Sequence, residues 1–195
     1  NLSIFYPSTE IYFKKLSENH YKANGLKYCP FSLDLINKKK EIFQKINYQN
    51  NKYILISFGF FDQLNLSIKT IKYILLKTDF EIIVIISRDS PFWQVLNKNY
   101  ESNKKVKIIN YISNIASVYS DCATSIGTFG LMSLERAFLG LPQINILEEE
   151  NQKNTMNALT KLGFSKSFYE ISEIFSSNYN LFLFPDYTLY NKLLK

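Results

Sequence analysis

A single histidine, His20, and two cysteines, Cys29 and Cys122, are all that this 195-residue chain offers toward the commonest metal and nucleophile chemistry. Two distant cysteines form neither a disulfide framework nor a zinc spacing, and they suit a reducing, cytoplasmic setting. Neither cysteine has a basic neighbour in sequence, and no carboxylate–histidine cluster suggests a metal, so no catalytic residue and no metal ligand is expected. The sequence reads as one that holds a ligand and leaves the base to another part. Glycine and proline are scarce as well, at six and five, which excludes a low-complexity or disordered composition. No apolar run approaches the roughly 20 residues of a membrane span; the longest, residues 82–86, has the size of a strand. The first residues, NLSIFYPSTEIYF, lack a basic start, an apolar core and a small-residue cleavage site, so no signal peptide is visible. Position 1 is Asn, not Met.

What is present is apolar and aromatic: 46% hydrophobic and 16% aromatic residues, enough at this length for one good core with an additional arm. The net charge of +6 is dispersed. Its densest run, Lys38 to Lys40 beside Glu41, fits a solvated helix face, so nucleic acid is not an expected partner, while a basic pocket for a diphosphate stays compatible.

The pattern divides the chain into three parts. Residues 1–52 form an N-terminal arm, aromatic and irregular up to residue 31, then a helix capped by Ser32 and a polar linker NYQNN. Residues 53–170 alternate strand and helix: YILISFG, NLSIKTIKYILLK, FEIIVIIS, PFWQVLNKN, KVKIINYI, NIASVYSD, CATSIG, LMSLERAFLG, PQINIL and NQKNTMNALTKLG. Near-continuous apolar strands between amphipathic helices predict an α/β fold with a Rossmann-like, doubly wound parallel sheet. Residues 171–195 form an aromatic, helical tail expected to pack back.

Ligands of such sheets sit beyond the carboxyl ends of the strands, where the strand order reverses. Gly59 can take positive φ there and let a phosphate approach the backbone. Asp62 either caps the next helix or takes part, with that helix's N–H groups, in an anion site. Gly127 and Gly130 bracket a second loop, faced by Ser133. Glu135, little more than one turn into the following helix, either accepts the two hydroxyls of a ribose or complements the helix dipole. Its neighbour Arg136 is expected at the surface. Asn151 and Gln152 open a helix after the fifth strand and can cap it or reach a diphosphate or sugar. Glu148 and Glu149 are expected in solvent.

The segments ILISFGFFDQLNLS and NYISNIASVYSDCATSIGTFGLMSLERAFLGLPQINILEEENQKNTMNALTKLG resemble the C-terminal half of GT-B nucleotide-sugar enzymes. They are most like the UDP-sugar hydrolase of pseudaminic acid biosynthesis and its spore-coat polysaccharide relatives, with the peptidoglycan N-acetylglucosaminyltransferase more distant. The resemblance covers about Gly25 to Phe164. It implies a domain that binds UDP or a UDP-sugar as substrate, with no other cofactor, for surface-glycan synthesis. Tyr111 and Ile112 would lie near the base, Ile112 through its backbone. Gly127, Thr128 and Gly130 would approach the phosphates, Glu135 would hold the ribose, and Asn151 and Gln152 would reach the diphosphate or sugar. The family's catalytic histidine belongs to an N-terminal domain, and ENHYKANG around His20 does not match its motif, so a missing or separate N-terminal catalytic domain is the implied partner. The chain departs from the family at both phosphate loops. Phe60 and Phe61 replace glycine and serine in the first, and Phe129, Gly130, Leu131 and Met132 replace Gly-Gly-Ser-Thr in the second. Two lost hydrogen bonds to a charged group, at about 1.5–3 kcal/mol each, would weaken binding by roughly two to four orders of magnitude. The alternative is a degenerate, non-catalytic binding module whose loops have filled with these apolar side chains.

Overall fold

The computed structural model describes residues 2–5, 12–25, 28–42 and 51–176. The first part is not irregular. Strands β1 (Leu2–Phe5), β2 (Tyr12–Ser17) and β3 (His20–Asn24) form a small sheet of order β1-β3-β2, in which β1 runs parallel and β2 antiparallel to β3. Its strands are short and interrupted by polar residues, which masks the alternation that marks a strand. Helix α1 (Leu33–Ile42) follows, with Ser32 Oγ 3.4 Å from the Leu35 N–H. Residues 43–50, with most of the NYQNN linker, and residues 177–195 of the aromatic tail lie outside the described residues.

From Tyr53 onward strand and helix alternate as the pattern predicts. The elements are β4 (Tyr53–Ser57), α2 (Leu66–Lys77), β5 (Glu81–Ile85), α3 (Trp93–Tyr100), β6 (Val106–Ile109) and α4 (Ile115–Ser120). Then come β7 (Cys122–Thr128), α5 (Leu131–Leu139), β8 (Gln143–Ile146), a 3-10 turn at Glu150–Gln152 and α6 (Lys153–Lys161). A sixth strand, β9 (Lys166–Phe168), and helix α7 (Ile171–Ser176) complete the set; three residues of β9 are too few to show a period. All pairings are parallel, in the order β6-β5-β4-β7-β8-β9. The chain is therefore an α/β protein with a Rossmann-like, doubly wound sheet, whose strand order reverses between β4 and β7.

Alternation along the strands divides the core between the two faces of the sheet. Ile54 and Ile56 of β4 and Ile82 and Val84 of β5 pack with Ile71 and Ile74 of α2, Leu96 of α3 and Ile174 of α7. Leu55 and Ile83 face the other way, against Leu35 of α1, Tyr119 of α4 and Leu139 of α5. A satellite core between α5 and α6 joins Leu134, Met156, Leu159 and Phe129. Phe129 is only 1% exposed, so it belongs to that core and does not fill the phosphate loop as expected. The start of the tail does pack back: the Phe175 ring stacks on Tyr73 of α2 with centroids 4.2 Å apart.

Arg136, expected at the surface, is fully buried. Consecutive helical residues point about 100° apart, so α5 leaves Glu135 half-buried on one side and sends Arg136 into the sheet. Its Nη2 donates to Asn145 Oδ1 at 2.8 Å and to the Thr128 carbonyl at 3.2 Å, while Nε and Nη1 have no partner. Asn145 in turn donates to Gln143 Oε1 and Ser165 Oγ, tying β8 to the loop before β9. Gly127 lies over this group: a Cβ there would stand 2.2 Å from the Ser57 carbonyl oxygen and 2.7 Å from Arg136 Nη1. At Gly130 a Cβ would meet nothing within 4 Å, and the backbone there is extended. Gly127→Ala should therefore cost about 3 kcal/mol through overpacking, and Gly130→Ala under about 0.5 kcal/mol. Urea unfolding of the two variants side by side checks this, and equal losses would contradict it.

Candidate functional site

The reversal of strand order opens a cleft of about 320 Å³ lined by Gly59, Phe60, Ile86, Ile112, Met132 and Glu135, together with Ile85, Ser87, Asn110 and Ile115. Walls of this kind, mainly apolar with a few polar groups, suit a small organic ligand. The floor is set by strand ends, and the rim by the loops that follow them. The first loop is pinned at the carbonyls of Phe60, which accepts from the Ser87 N–H at 3.1 Å, and Phe61, which accepts from Ser90 Oγ. Gly59 turns at φ 71° with open space where a side chain would be, so backbone is exposed to the cleft there. Across from it, Met132 Sδ lies 3.4 Å from Ser57 Oγ.

Glu135 supplies the carboxyl group among the residues lining this cleft. Its Oε2 accepts from the Tyr119 hydroxyl at 2.9 Å, which fixes the carboxylate's orientation, and no described residue donates to Oε1. Burial raises the Glu135 carboxyl above its ordinary value; the Tyr119 hydrogen bond and the Arg136 charge act against that rise. Burial also pushes the Tyr119 phenol well up, with the Glu135 charge adding to the shift, so Tyr119 keeps its proton and remains the donor. The result is a rigid acceptor with one oxygen free at the wall of an apolar cleft.

Of the residues singled out in sequence, Gly59, Ile112 and Glu135 come together in this cleft, and Gly130 stands open beside it. Most of the others are occupied within the protein, and two are exposed. Asp62 is buried and accepts from the N–H groups of Leu66 (2.8 Å) and Ser67 (3.0 Å), so its carboxylate fills the start of α2 itself. Gly127 is a packing glycine beneath the loop. Ser133 is buried with its hydroxyl locked to Gly130, accepting from the N–H at 3.0 Å and donating to the carbonyl at 2.7 Å. Thr128 Oγ1 donates to Gln152 Oε1 at 2.9 Å and lies 3.1 Å from the Ile146 carbonyl. Asn151 is exposed, its amide 3.4 Å from Glu149 Oε2, and Tyr111 is 81% exposed and outside the cleft lining.

Sequence reading missed two contributors to the cleft, Tyr119 and Asn110, and the burial of Glu148. Tyr119 sits on the inward face of α4, where an aromatic residue reads as core. Asn110 follows β6 and lines the cleft. Glu148, expected in solvent, is half-buried; its N–H donates to Gln152 Oε1 at 3.1 Å, and its Oε1 is buried with no partner. Burial, the Asp62 charge and the Glu149 charge raise its carboxyl to about 7. Only the chain's return over β7 creates that environment, and no local pattern carries it. Among the described residues no three His, Cys, Asp or Glu side chains gather as a metal site, and no helix is long and apolar enough to cross a membrane.

No known family profile matches the chain. An uncharacterized protein of Methanocaldococcus jannaschii is 32% identical over 133 residues, which are 66% of this chain and 28% of that protein. Among solved structures, MurG of Acinetobacter baumannii superposes with a TM-score of 0.56 at 15% identity, covering 99% of this chain and 55% of MurG. The glycosyltransferase SnogD of Streptomyces nogalater gives a TM-score of 0.47 at 19% identity, over 61% of this chain and 31% of its own. The chain thus spans about a quarter of the archaeal relative and about half of MurG, and it shares the fold of one Rossmann-like half of a GT-B glycosyltransferase.

The position of Glu148 has a consequence for stability. Its folded-state carboxyl lies above the unfolded value of 4.5, so the folded state binds the extra proton. Stability from this group is full below pH 4.5, falls as pH rises toward about 7, and is flat above. Glu148→Gln should therefore stabilise the protein at pH 8 by about 1 kcal/mol, discounted for solvent screening of a partly exposed group. The same substitution should change little at pH 4.5, and thermal unfolding at the two pH values reads the difference.

Proposed function

We propose that this chain is the nucleotide-binding half of a nucleotide-sugar enzyme, a UDP-sugar hydrolase or glycosyltransferase acting in surface-glycan synthesis. The observation that carries the reading is Glu135: a carboxylate held by Tyr119, with Oε1 free, at the wall of an apolar cleft at the sheet's switch point. A vicinal diol offers two donors to such a group, and charge-assisted hydrogen bonds fix its orientation. The nucleobase fits the apolar side formed by Ile85, Ile112 and Ile115, with the Ile112 backbone at its edge. The phosphates run past the open backbone of Gly59 and Gly130. The MurG-like fold and the GLP and ENQ segments of the sequence support this reading. The pseudaminic acid hydrolase and spore-coat families are its nearest chemical precedents.

In this account the chain's own contribution is binding and orientation. Glu135 fixes the sugar ring of the nucleoside, and the pinned Phe60–Phe61 loop shields the diphosphate side from water. Backbone N–H groups at the start of α5 stabilise negative charge as it develops on the leaving diphosphate. No histidine or cysteine lines the cleft, so the base that activates water or an acceptor hydroxyl comes from a separate domain, and the 195-residue chain alone should not turn over a UDP-sugar.

A second reading, a binding module without catalytic role, is favoured by one observation: Phe60 is 63% and Leu131 44% exposed beside the cleft. Calorimetry separates the two. The proposal expects UDP binding that Glu135→Ala weakens about 10- to 100-fold, the value of a charge-assisted hydrogen bond or slightly more. No binding at millimolar UDP, or equal binding by the variant, favours the module.

A further inference from the structure

The loop from β6 to α4 contains two asparagines, and only one of them is used by the protein itself. Asn114 caps α4, its Oδ1 accepting from the Ser117 N–H at 3.0 Å. Asn110 follows β6 directly and lines the cleft, and no described residue hydrogen-bonds to its side-chain amide. Asparagine in a turn is ordinarily explained by a bond from its side chain to the backbone two residues on. Asn103 shows that pattern, its Oδ1 accepting from the Lys105 N–H at 2.9 Å, and Asn110 does not. The backbone that carries Asn110 is nevertheless fixed. The Ile109 carbonyl accepts from the Ile86 N–H at 3.1 Å, and the Asn114 cap closes the far end of the loop. Three polar side chains line the cleft: Ser87, Asn110 and Glu135. The Ser87 hydroxyl is engaged locally, accepting from the Asp89 N–H at 3.0 Å and donating to Asp89 Oδ2 at 3.4 Å. Glu135 Oε1 and the Asn110 amide are therefore the two polar side-chain groups of an apolar cleft to which no described residue bonds. Their elements follow β7 and β6, which stand at the fourth and first positions of the sheet.

Resting on the nucleotide reading above, we propose that Asn110 reads the nucleobase, its amide pairing with the exocyclic group at C4 of a pyrimidine. Glu135 takes the ribose hydroxyls, and the base extends toward β6, where Ile112 and Ile115 seat its ring. On that side Asn110 is the one lining side chain able to tell one base edge from another. An amide carries both a donor and an acceptor. Unheld by the protein, it can turn Nδ2 toward the O4 carbonyl of uracil or Oδ1 toward the N4 amino group of cytosine. A site built this way admits both bases, so the ligand class widens from uridine to pyrimidine nucleotides. A carboxylate at position 110 could only accept, binding the cytosine amino group and repelling the uracil carbonyl.

The test is calorimetry with UDP and CDP, two ligands identical in ribose and diphosphate, on the 195-residue chain and on Asn110→Ala and Asn110→Asp. Asn110 is exposed and bonded to no described residue, so these substitutions leave the fold intact. The proposal expects wild type to bind UDP and CDP within about threefold of each other, the amide turning to suit either. Asn110→Ala should weaken both about 3- to 10-fold, the value of one neutral hydrogen bond. Asn110→Asp should lower the ratio of UDP affinity to CDP affinity by at least about tenfold. Whatever the added charge does to the diphosphate is common to both ligands and cancels in that ratio, and a merely structural role for Asn110 would not move it. An unchanged ratio in Asn110→Asp, wild-type affinity for both ligands in Asn110→Ala, or a wild-type preference above about tenfold would overturn the role of Asn110 and leave the nucleotide reading standing. Absence of binding of either ligand to the wild-type chain would overturn both.

Discussion

The close approach of β7 to β4 at Gly127 is the constraint on which the site depends. Glycine there lets the Ser57 carbonyl and the Arg136 guanidinium occupy space that any side chain would fill. Arg136, buried without access to water, is tolerable only because Asn145 and the Thr128 carbonyl accept from it and Glu135 lies nearby on the same helix. That cation in turn orients the end of β7 and the start of α5, and so the loop from Thr128 to Met132. Glu135 and Arg136 thus form a divided pair: one charge fixes the scaffold, and its neighbour faces the cleft.

Above this scaffold the protein satisfies most of its own phosphate-site groups. Asp62 supplies the anion at the start of α2, and Ser133 closes on Gly130 at the start of α5. What remains open is backbone at Gly59, the space over Gly130, one Glu135 oxygen to which no described residue donates, and an apolar wall. On the proposed reading, this balance favours recognition of the nucleoside over recognition of phosphate. Phe60 and Leu131 make the rim apolar.

The alternating core of the fold was readable because β4 and β5 are apolar on both faces and their helices carry regular inward stripes. Strand β9 and the small N-terminal sheet were not, since three- to six-residue strands with lysines in them carry almost no period. At the site, Gly59 and Glu135 were legible as positions just beyond strand ends, although a plain turn and a helix-dipole role fitted the sequence as well. Arg136 and Phe129 were misplaced for a common reason. Residue type predicts their average environment, whereas the close pairing of β7 with β4 and the seat of α6 decide the actual one. Asp62 and Ser133 were ambiguous in sequence because capping a helix and binding an anion use the same groups in the same place, and the hydrogen bonds decide for capping. Glu148 could not be read at all: its neighbour Asp62 is 86 residues away in the chain.

The central claim is that a nucleotide occupies the cleft between the ends of β4 and β7. Amide chemical-shift mapping of the isotope-labelled chain during titration with UDP tests it most directly. The account predicts saturable shifts at Gly59, Ile112, Gly130 and residues 131–135, with β2, β3 and α1 unmoved. Shifts confined to the exposed Phe60–Leu64 rim, or spread over the small N-terminal sheet, would contradict it.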